Sequence, residues 1–224
     1  MIELIWDIDG TLLNTRGLGA APFCEAFTDH TNLPAVIDKK KLSGFTDFEI
    51  ALSLMKDVGL REDIFLAEKI LNTFSTKLEL ILATEPPTIL GDVLPTLEHI
   101  ETSESLTNSI GSGNFMKGAA VKLKSAGLFD FFRNSEFFVA TPELWNRDAI
   151  IESAAITRAE LRKLVIGDSP RDISSARYSG LKVLAIATGQ HSYGELLNLN
   201  PDYILDSDWK LADFLQIIDA FESD

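Results

Sequence analysis

Cysteine is nearly absent from this chain, and so are long apolar runs. Cys24 is the single cysteine among 224 residues, so the chain cannot close a disulfide within itself. The sequence has no arginine-flanked apolar leader and no run of about 18 apolar residues, the length that a membrane span requires. These absences lead us to expect a cytoplasmic protein with no membrane partner.

Basic residues are also scarce. Lys and Arg number 20 against 34 Asp and Glu, which gives a formal net charge of -14 at pH 7. Because no long basic run is available to displace counterions, nucleic-acid backbones and anionic membrane surfaces are poor partners for this chain. Divalent cations suit its charge better. Hydrophobic residues make up 46% of the chain, which is ample for the core of one large or two small units.

Short strand-like runs alternate with helical segments along most of the chain. The strand-like runs are Ile2 to Trp6, Leu106 to Ile110, Phe137 to Ala140, Leu164 to Ile166 and Val183 to Ala187, and helical spacing occurs in Phe115 to Ala126, Arg147 to Ala155 and Pro170 to Ser179. Since parallel strands need crossover connections, this alternation predicts the α/β class, with a doubly wound parallel sheet and a Rossmann-like core. Open sheets of this kind bind ligands at the carboxyl ends of their strands.

The interval from about Gly17 to Leu90 departs from this alternation. Its apolar residues recur with a period near 3.6, as at Ile50, Leu54 and Val58, which predicts helices. About 70 residues are too many for one crossover loop. We therefore expect an inserted helical subdomain in this interval.

The first strand-like run ends in two acids, Asp7 and Asp9, which are followed by Gly10 and Thr11. An extended backbone sends both acids to the same side, and Gly10 permits a turn that can bring both carboxylates toward one reacting atom. One carboxylate could then attack phosphorus, when a cation masks its charge, while the other shuttles a proton.

A second acidic pair follows the run Leu164 to Ile166. Asp168 comes directly after Gly167, and Asp172 lies four residues further on. Because Pro170 suits the first turn of a helix, Asp168 would lie at the strand tip and Asp172 inside that helical turn. Mg²⁺ prefers oxygen ligands and usually takes one or two carboxylates plus a substrate phosphate. The pair therefore predicts a magnesium site.

These two motifs resemble the first and fourth motifs of the haloacid dehalogenase superfamily, in its phosphatase branch with a helical cap, which includes phosphoglycolate phosphatases and β-phosphoglucomutases. The resemblance implies that Asp7 binds Mg²⁺ and attacks phosphorus. It also implies that Asp9 protonates the leaving oxygen while its backbone carbonyl joins the metal shell. Asp168 would be the stronger magnesium ligand and Asp172 the supporting one.

The resemblance further implies a division of the chain into two parts. Residues 1–16 and 91–224 would form the α/β catalytic core. Residues 17–90 would form a helical cap that closes over the site.

A match to the superfamily's second motif lies in the segment Ser109 to Asn114. By this match Ser112 takes the last position of a strand, just before a helix. Its hydroxyl and the N–H groups that follow, at Gly113 and Asn114, could hold phosphate oxygens near the helix N-terminus.

The third motif requires a Lys or Arg near a helix start, and Arg147 occupies that place in the chain order. Its planar guanidinium can hold Asp7 and the phosphoryl oxygens at the same time. The alternatives for this role are Lys163, Lys122 and Lys117.

Three more residues are candidates for substrate binding. Gly10 and Thr11 follow the paired acids, and Thr46 belongs to the segment Gly44 to Asp47, which resembles a loop of related phosphatase caps. Alternatively, Thr46 or Asp47 is the N-cap of a helix, since Thr and Asp commonly have that role.

These motifs together predict a magnesium-dependent phosphatase that hydrolyses a small phosphorylated metabolite through an aspartyl-phosphate at Asp7. A sugar phosphomutase would use the same core, and a non-catalytic regulator that binds phosphate or carries phospho-aspartate would keep it without turnover. The sequence leaves the substrate and the oligomeric state open.

Two other functions fit the sequence less well. A dehalogenase attacks carbon without a metal and normally lacks an acid in the place of Asp9. A dinucleotide site at Gly111 to Gly113 would require a third glycine where Met116 stands, and it would belong to the first strand unit of the sheet.

Overall fold

A computed structural model describes residues 1–38 and 44–223 of the chain. Its strands are β1 (Ile2–Trp6), β2 (Leu13–Asn14), β3 (Thr88–Ile89), β4 (Leu106–Phe115), β5 (Phe137–Ala140), β6 (Arg162–Gly167), β7 (Lys182–Ile186) and β8 (Tyr203–Leu205). Six of them form one parallel sheet in the order β5-β4-β1-β6-β7-β8, while β2 and β3 form a small antiparallel pair.

Helices cover both faces of this sheet. They are α1 (Ala20–Thr31), α2 (Asp47–Asp57), α3 (Ile64–Leu82), α4 (Val93–Glu101), α5 (Met116–Ser125), α6 (Arg147–Ile156), α7 (Pro170–Tyr178), α8 (Tyr193–Leu197) and α9 (Leu211–Ser223), with a 3-10 helix at Phe129–Phe132. The predicted α/β class with a doubly wound parallel sheet is therefore confirmed. No helix in the described part of the chain has the length and apolarity of a membrane span.

The first strand is buried on both of its faces because it lies in the middle of the sheet. Ile5 faces a core shared with α6 and α7. Leu4 and Trp6 face the opposite core, where the ring of Trp6 stacks on Phe214 of α9 with 5.6 Å between ring centroids. A strand buried on both faces reads as a continuous apolar run, which is how Ile2–Trp6 appears in the sequence.

Strand register decides which side chains can share a site. Trp6 lies opposite Ile110 of β4 and Ile166 of β6. Because these three strands are parallel, the residues just beyond this level, such as Asp7 and Asp168, leave the sheet at one edge.

Helices α1, α2 and α3 lie in the interval from about Gly17 to Leu90, for which the sequence predicts an inserted subdomain. This interval is called the insert below. Phe23 of α1 packs on Phe74 of α3, with 4.8 Å between ring centroids. Lys117 of α5 joins the insert to the core, since its Nζ donates to Thr76 Oγ1 at 2.7 Å. The expected boundaries of the cap, at residues 17 and 90, stay a prediction.

The fourth strand is longer than the sequence predicts. Its apolar run ends at Ile110 and the second-motif match places Ser112 last in the strand, whereas β4 continues to Phe115 with a shift of register against β5 between Ser112 and Phe115. The sequence predicts that this segment ends a strand and opens a helix. In the fold, glycine is required for close packing, because a Cβ at Gly111 would lie 2.4 Å from Cγ2 of Ile5.

Elements near the end of the chain also escape the sequence prediction. No element is predicted after Ala187, whereas the chain forms α8, β8 and α9. β8 has only three residues and pairs with β7 alone at the edge of the sheet. A strand this short presents too few apolar residues to be recognised by its pattern.

Candidate active site

The carboxyl ends of the central strands open into a cavity of about 330 Å³ that residues of the insert also line. The side of the cavity nearest the sheet is strongly polar, with Asp7, Asp9, Asn114, Lys122, Arg147, Asp168 and Asp172. The insert side is largely apolar, with Phe23, Ile37, Phe45, Ile50 and Phe74.

Three carboxylates meet on the polar side, where oxygen atoms of Asp7, Asp168 and Asp172 lie within 4.8 Å of one another. Burial raises the pKa of Asp7 to about 6; Arg147 opposes this rise, and the charges of Asp172 and Asp9 add to it. Burial also raises the pKa of Asp168 well above its ordinary value, and the charges of Asp172 and Asp7 add to that rise. Carboxylates crowded together out of water favour a bound cation.

Two glycines, Gly10 and Gly189, lie against the Asp168 carboxylate. A Cβ at Gly189 would lie 1.7 Å from Asp168 Oδ2, and a Cβ at Gly10 would lie 2.5 Å from the same atom. Gly10 also has a φ of +85°, which other residues rarely adopt. This cradle, together with a donor set made of oxygens, fits Mg²⁺ held by Asp7, Asp168 and Asp172.

Asp172 is held by the start of helix α7. Ser169 is the N-cap, and its backbone N–H and its hydroxyl donate to Asp172 Oδ2 at 3.0 and 2.7 Å. Pro170 occupies the first helical turn, as the sequence predicts. The local sequence therefore orients this carboxylate before any contact with the rest of the molecule.

Arg147 joins two of the acids. It stands at the start of α6, is 5% exposed, and donates through Nη1 to Asp7 Oδ1 at 3.1 Å and through Nη2 to Asp172 Oδ1. The carboxylates of Asp172 and Asp7 hold the pKa of Arg147 above its ordinary value despite its burial. The structure thus brings Arg147 to Asp7, which is where the third motif would need a cation.

The other acid of the first motif has a different pair of partners. Asn114 Nδ2 donates to Asp9 Oδ2 at 2.8 Å, and the Lys122 ammonium donates to the same oxygen and to Asn114 Oδ1. The sequence suggests Lys122 only as an alternative to Arg147 in the third motif. It does not predict the contact with Asp9, because no local pattern links a lysine inside α5 to the end of β1.

Ser112 reaches Asp7 as well, and a hydrogen bond from its side chain lowers the pKa of that carboxyl. Its expected position is wrong, however. β4 continues past Ser112 to Phe115 and α5 begins at Met116, so the N–H groups of Gly113 and Asn114 belong to a strand and not to a helix N-terminus. Gly113 and Asn114 still line the cavity.

Thr46 and Thr11 both have structural partners, and the substrate-binding role expected for them stays a prediction. Thr46 is fully buried as the N-cap of α2: its hydroxyl accepts from the Glu49 N–H at 3.1 Å and donates to the Trp145 carbonyl oxygen at 2.5 Å. Thr11 is also fully buried, and its hydroxyl donates to Asp168 Oδ1 at 3.3 Å. Both side chains therefore support the site and do not face the cavity, whereas Gly10 does.

Asp47, the last residue of the segment that resembles a phosphatase cap loop, lines the cavity. Its carboxylate accepts a hydrogen bond from the Phe115 N–H at 2.8 Å, which fixes the first turn of α2 against the end of β4. Burial raises its pKa to about 6, while the charge of Lys122 opposes the rise. A buried carboxylate on the insert thus contributes negative charge to the cavity wall.

Known proteins with similar sequences are found among hydrolases. Residues 4–186 match the family described as haloacid dehalogenase-like hydrolase. The chain is 26% identical over 224 residues to the pyrophosphatase PpaX of Bacillus pumilus (strain SAFR-032), with 97% of this chain and 96% of the relative covered.

Solved structures share the fold at low sequence identity. A predicted phosphoglycolate phosphatase from Haemophilus somnus 129PT superimposes with a TM-score of 0.68 at 20% identity over 97% of each chain. The β-phosphoglucomutase of Clostridium difficile superimposes with a TM-score of 0.71 at 17% identity over 100% of this chain and 98% of that one. Because the family match extends over well more than half of the chain, this protein belongs to the haloacid dehalogenase-like hydrolases.

Proposed function

We propose that this hydrolase is a magnesium-dependent phosphatase that cleaves a small phosphomonoester through a phosphorylated Asp7. The observation that carries the proposal is the meeting of the Asp7, Asp168 and Asp172 carboxylates beside the Arg147 guanidinium at the end of the central strands. A nucleophile, a set of metal ligands and a fixed cation are the parts that phosphoryl transfer to a carboxylate needs.

Asp7 is the proposed nucleophile. One of its carboxylate oxygens forms a bond to phosphorus as the bond between phosphorus and the leaving oxygen breaks. Arg147 Nη1 donates to Asp7 Oδ1 at 3.1 Å, which holds the carboxylate in one orientation. The same guanidinium can stabilise the negative charge of the phosphoryl oxygens, since it carries several N–H donors in one plane.

Asp9 is the proposed acid and base. Asp9 lines the cavity and its side chain is 40% exposed, whereas that of Asp7 is 12% exposed. In the first half of the reaction the protonated Asp9 gives its proton to the leaving oxygen. In the second half the Asp9 carboxylate takes a proton from water as the water oxygen attacks phosphorus, and the bond to Asp7 breaks to release phosphate.

Asp7, Asp168 and Asp172 would hold the magnesium ion, with the Asp9 backbone carbonyl as a further ligand. When bound, Mg²⁺ offsets the negative charges that a carboxylate and a phosphate bring together. Thr11 and the glycines around Asp168 keep that carboxylate aimed into the cavity.

The substrate is proposed to be small. A cavity of about 330 Å³ is at the lower end of the size range of ligand pockets, about 300 to 1,000 Å³. The names of the relatives, a pyrophosphatase, a predicted phosphoglycolate phosphatase and a phosphoglucomutase, all refer to small phosphorylated compounds.

The test is phosphate release from a panel of small phosphomonoesters, with Mg²⁺ and with chelator, by wild type and Asp7→Asn. We expect release that requires Mg²⁺ and that falls about 1,000-fold or more in the variant, because the nucleophile is lost. Asp130→Asn is the matched control, since its side chain is 76% exposed on the surface. Its activity should equal that of wild type.

Other results would point elsewhere. Isomer formation without phosphate release would indicate a mutase, in which a second hydroxyl takes the phosphoryl group instead of water. Full activity of Asp7→Asn would contradict the proposed nucleophile.

A further inference from the structure

Lys122 is a buried cation for which the reaction described above has no use. It lies within α5 between two buried apolar residues, Val121 and Leu123, and is itself 7% exposed. Its side chain lines the cavity, and the ammonium ends beside Asp9 and Asn114.

Lys122, Asn114 and Asp9 form a closed triangle of hydrogen bonds. The ammonium donates to Asp9 Oδ2 and to Asn114 Oδ1, and Asn114 Nδ2 donates to Asp9 Oδ2 at 2.8 Å. Asn114 is anchored in turn, since its Nδ2 lies 2.9 Å from Ser112 Oγ. Both of these contacts to the Asp9 side chain end on Oδ2, and Asp9 lines the cavity.

Stability alone does not account for this arrangement. Burying an ammonium group is unfavourable unless it is paired, and a buried ion pair often contributes no more to folding than well-packed apolar residues would. A second cation, Arg147, already forms an ion pair with Asp7. Each of the two buried cations that line the cavity therefore pairs with one acid of the first motif, Arg147 with Asp7 and Lys122 with Asp9.

We propose that Lys122 is a positioning residue for Asp9: with Asn114 it holds Asp9 Oδ2, so that Oδ1 faces the leaving oxygen and exchanges the proton there. This inference rests on the proposed function, in which Asp9 is the acid and base. Lys122 acts through Asp9 and does not itself contact the reacting atoms.

The experiment compares two esters with different needs for an acid. Phenyl phosphate has a poor leaving group and needs protonation, whereas 4-nitrophenyl phosphate has a good one and needs it far less. Release of the phenol in the first turnover is measured for wild type and for Lys122→Met, because that step is the one in which Asp9 gives up its proton.

We expect Lys122→Met to slow phenol release from phenyl phosphate about 100-fold, which is within the usual range of general acid catalysis. For 4-nitrophenyl phosphate, the fold-decrease in the release rate should be smaller by a factor of at least about ten. KM should change little. Lys122→Arg should recover part of the lost rate on phenyl phosphate. In an Asp9→Asn background, Lys122→Met should have no further effect, because the group that it positions is gone.

Lys124→Met is the matched control. It is the same substitution on the same helix, at an exposed residue whose ammonium lies over the ring of Phe129. Its rates on both esters should equal those of wild type.

Equal losses on the two esters, or no loss on either, would overturn the positioning role while leaving the phosphatase proposal intact. Absence of phosphate release by wild type from any ester would instead refute the proposed function, and the role of Lys122 with it. If Lys122→Met does not fold, Lys122→Gln is compared in the same way, because an amide keeps a donor but not the charge.

Discussion

At the scale of single residues, the site depends on positions that have no side chain. Gly10 and Gly189 both face Asp168, and a Cβ at either would lie within 2.5 Å of Asp168 Oδ2. Gly10 and Gly189 are far apart in the sequence, yet both approach one carboxylate more closely than a residue with a Cβ could. These glycines position the proposed magnesium ligand although neither can bind a metal through a side chain.

Gly189→Ala should weaken magnesium binding without removing a ligand. Because the new Cβ must displace the Asp168 carboxylate, we expect the Mg²⁺ concentration for half-maximal activity to rise about 10- to 100-fold, as when residues that orient a ligand are changed. Gly194→Ala is the control, since a Cβ there meets nothing within 4 Å. An unchanged magnesium requirement in Gly189→Ala would contradict the place of Asp168 in the metal site.

At the scale of elements, the start of α2 links the insert to the core. Thr46 and Glu49 form a capping box, in which the Thr46 N–H donates to Glu49 Oε2 at 2.8 Å. Glu49 also accepts from Arg171 of α7 at 2.8 and 2.9 Å, and the Thr46 hydroxyl donates to the Trp145 carbonyl just before α6. The start of α2 therefore contacts both α7, which carries Asp172, and the segment just before α6, which carries Arg147.

Thr46→Ala should affect stability more than substrate binding. Loss of the cap should lower the free energy of unfolding by about 1 to 2 kcal/mol, as measured in urea, with KM nearly unchanged. Thr46→Ser keeps the hydroxyl and should retain most of the stability. A large rise in KM at unchanged stability would instead support the substrate-binding role that the sequence predicts for Thr46.

At the scale of the whole molecule, folding concentrates negative charge. The chain has a net charge of -14, and folding carries several carboxyls into one cavity. Burial raises the pKa of Asp7 and of Asp47 from 3.8 to about 6. A folded pKa above the unfolded one means that the metal-free protein loses stability as pH rises from about 4 to about 6.

Asp7→Asn should therefore be more stable than wild type in chelator at pH 8, although it is inactive. Asp172, Asp9, Asp168 and Arg147 surround Asp7, and the net effect of burial and these charges disfavours its ionised form. We expect a gain of about 1 to 3 kcal/mol at pH 8 that declines toward zero at pH 4. Urea unfolding at both pH values measures it.

Magnesium should remove much of that difference. An ion that binds only the folded protein adds about 3 kcal/mol at 100 times its dissociation constant, so wild type should be stabilised by Mg²⁺. Asp168→Asn should lose most of this gain, while Asp130→Asn should keep it. A wild type whose unfolding does not respond to Mg²⁺ would argue against the metal site.

The sequence by itself determined the fold class and the family. Its continuous apolar runs mark strands buried on both faces, and the acids after β1 and β6 follow from where those runs end. Pro170 and the capping box formed by Ser169 and Asp172 are local features, so their structure could be predicted from neighbouring residues alone.

Only the tertiary structure decided which side chains meet. It brings Lys122 to Asp9, and it turns the Thr46 hydroxyl to the Trp145 carbonyl. These contacts join residues about 100 positions or more apart, and they depend on strand register and on the packing of the insert against the sheet. Neither leaves a periodic signal in the sequence, because each arises from long-range packing and not from the preferences of neighbouring residues.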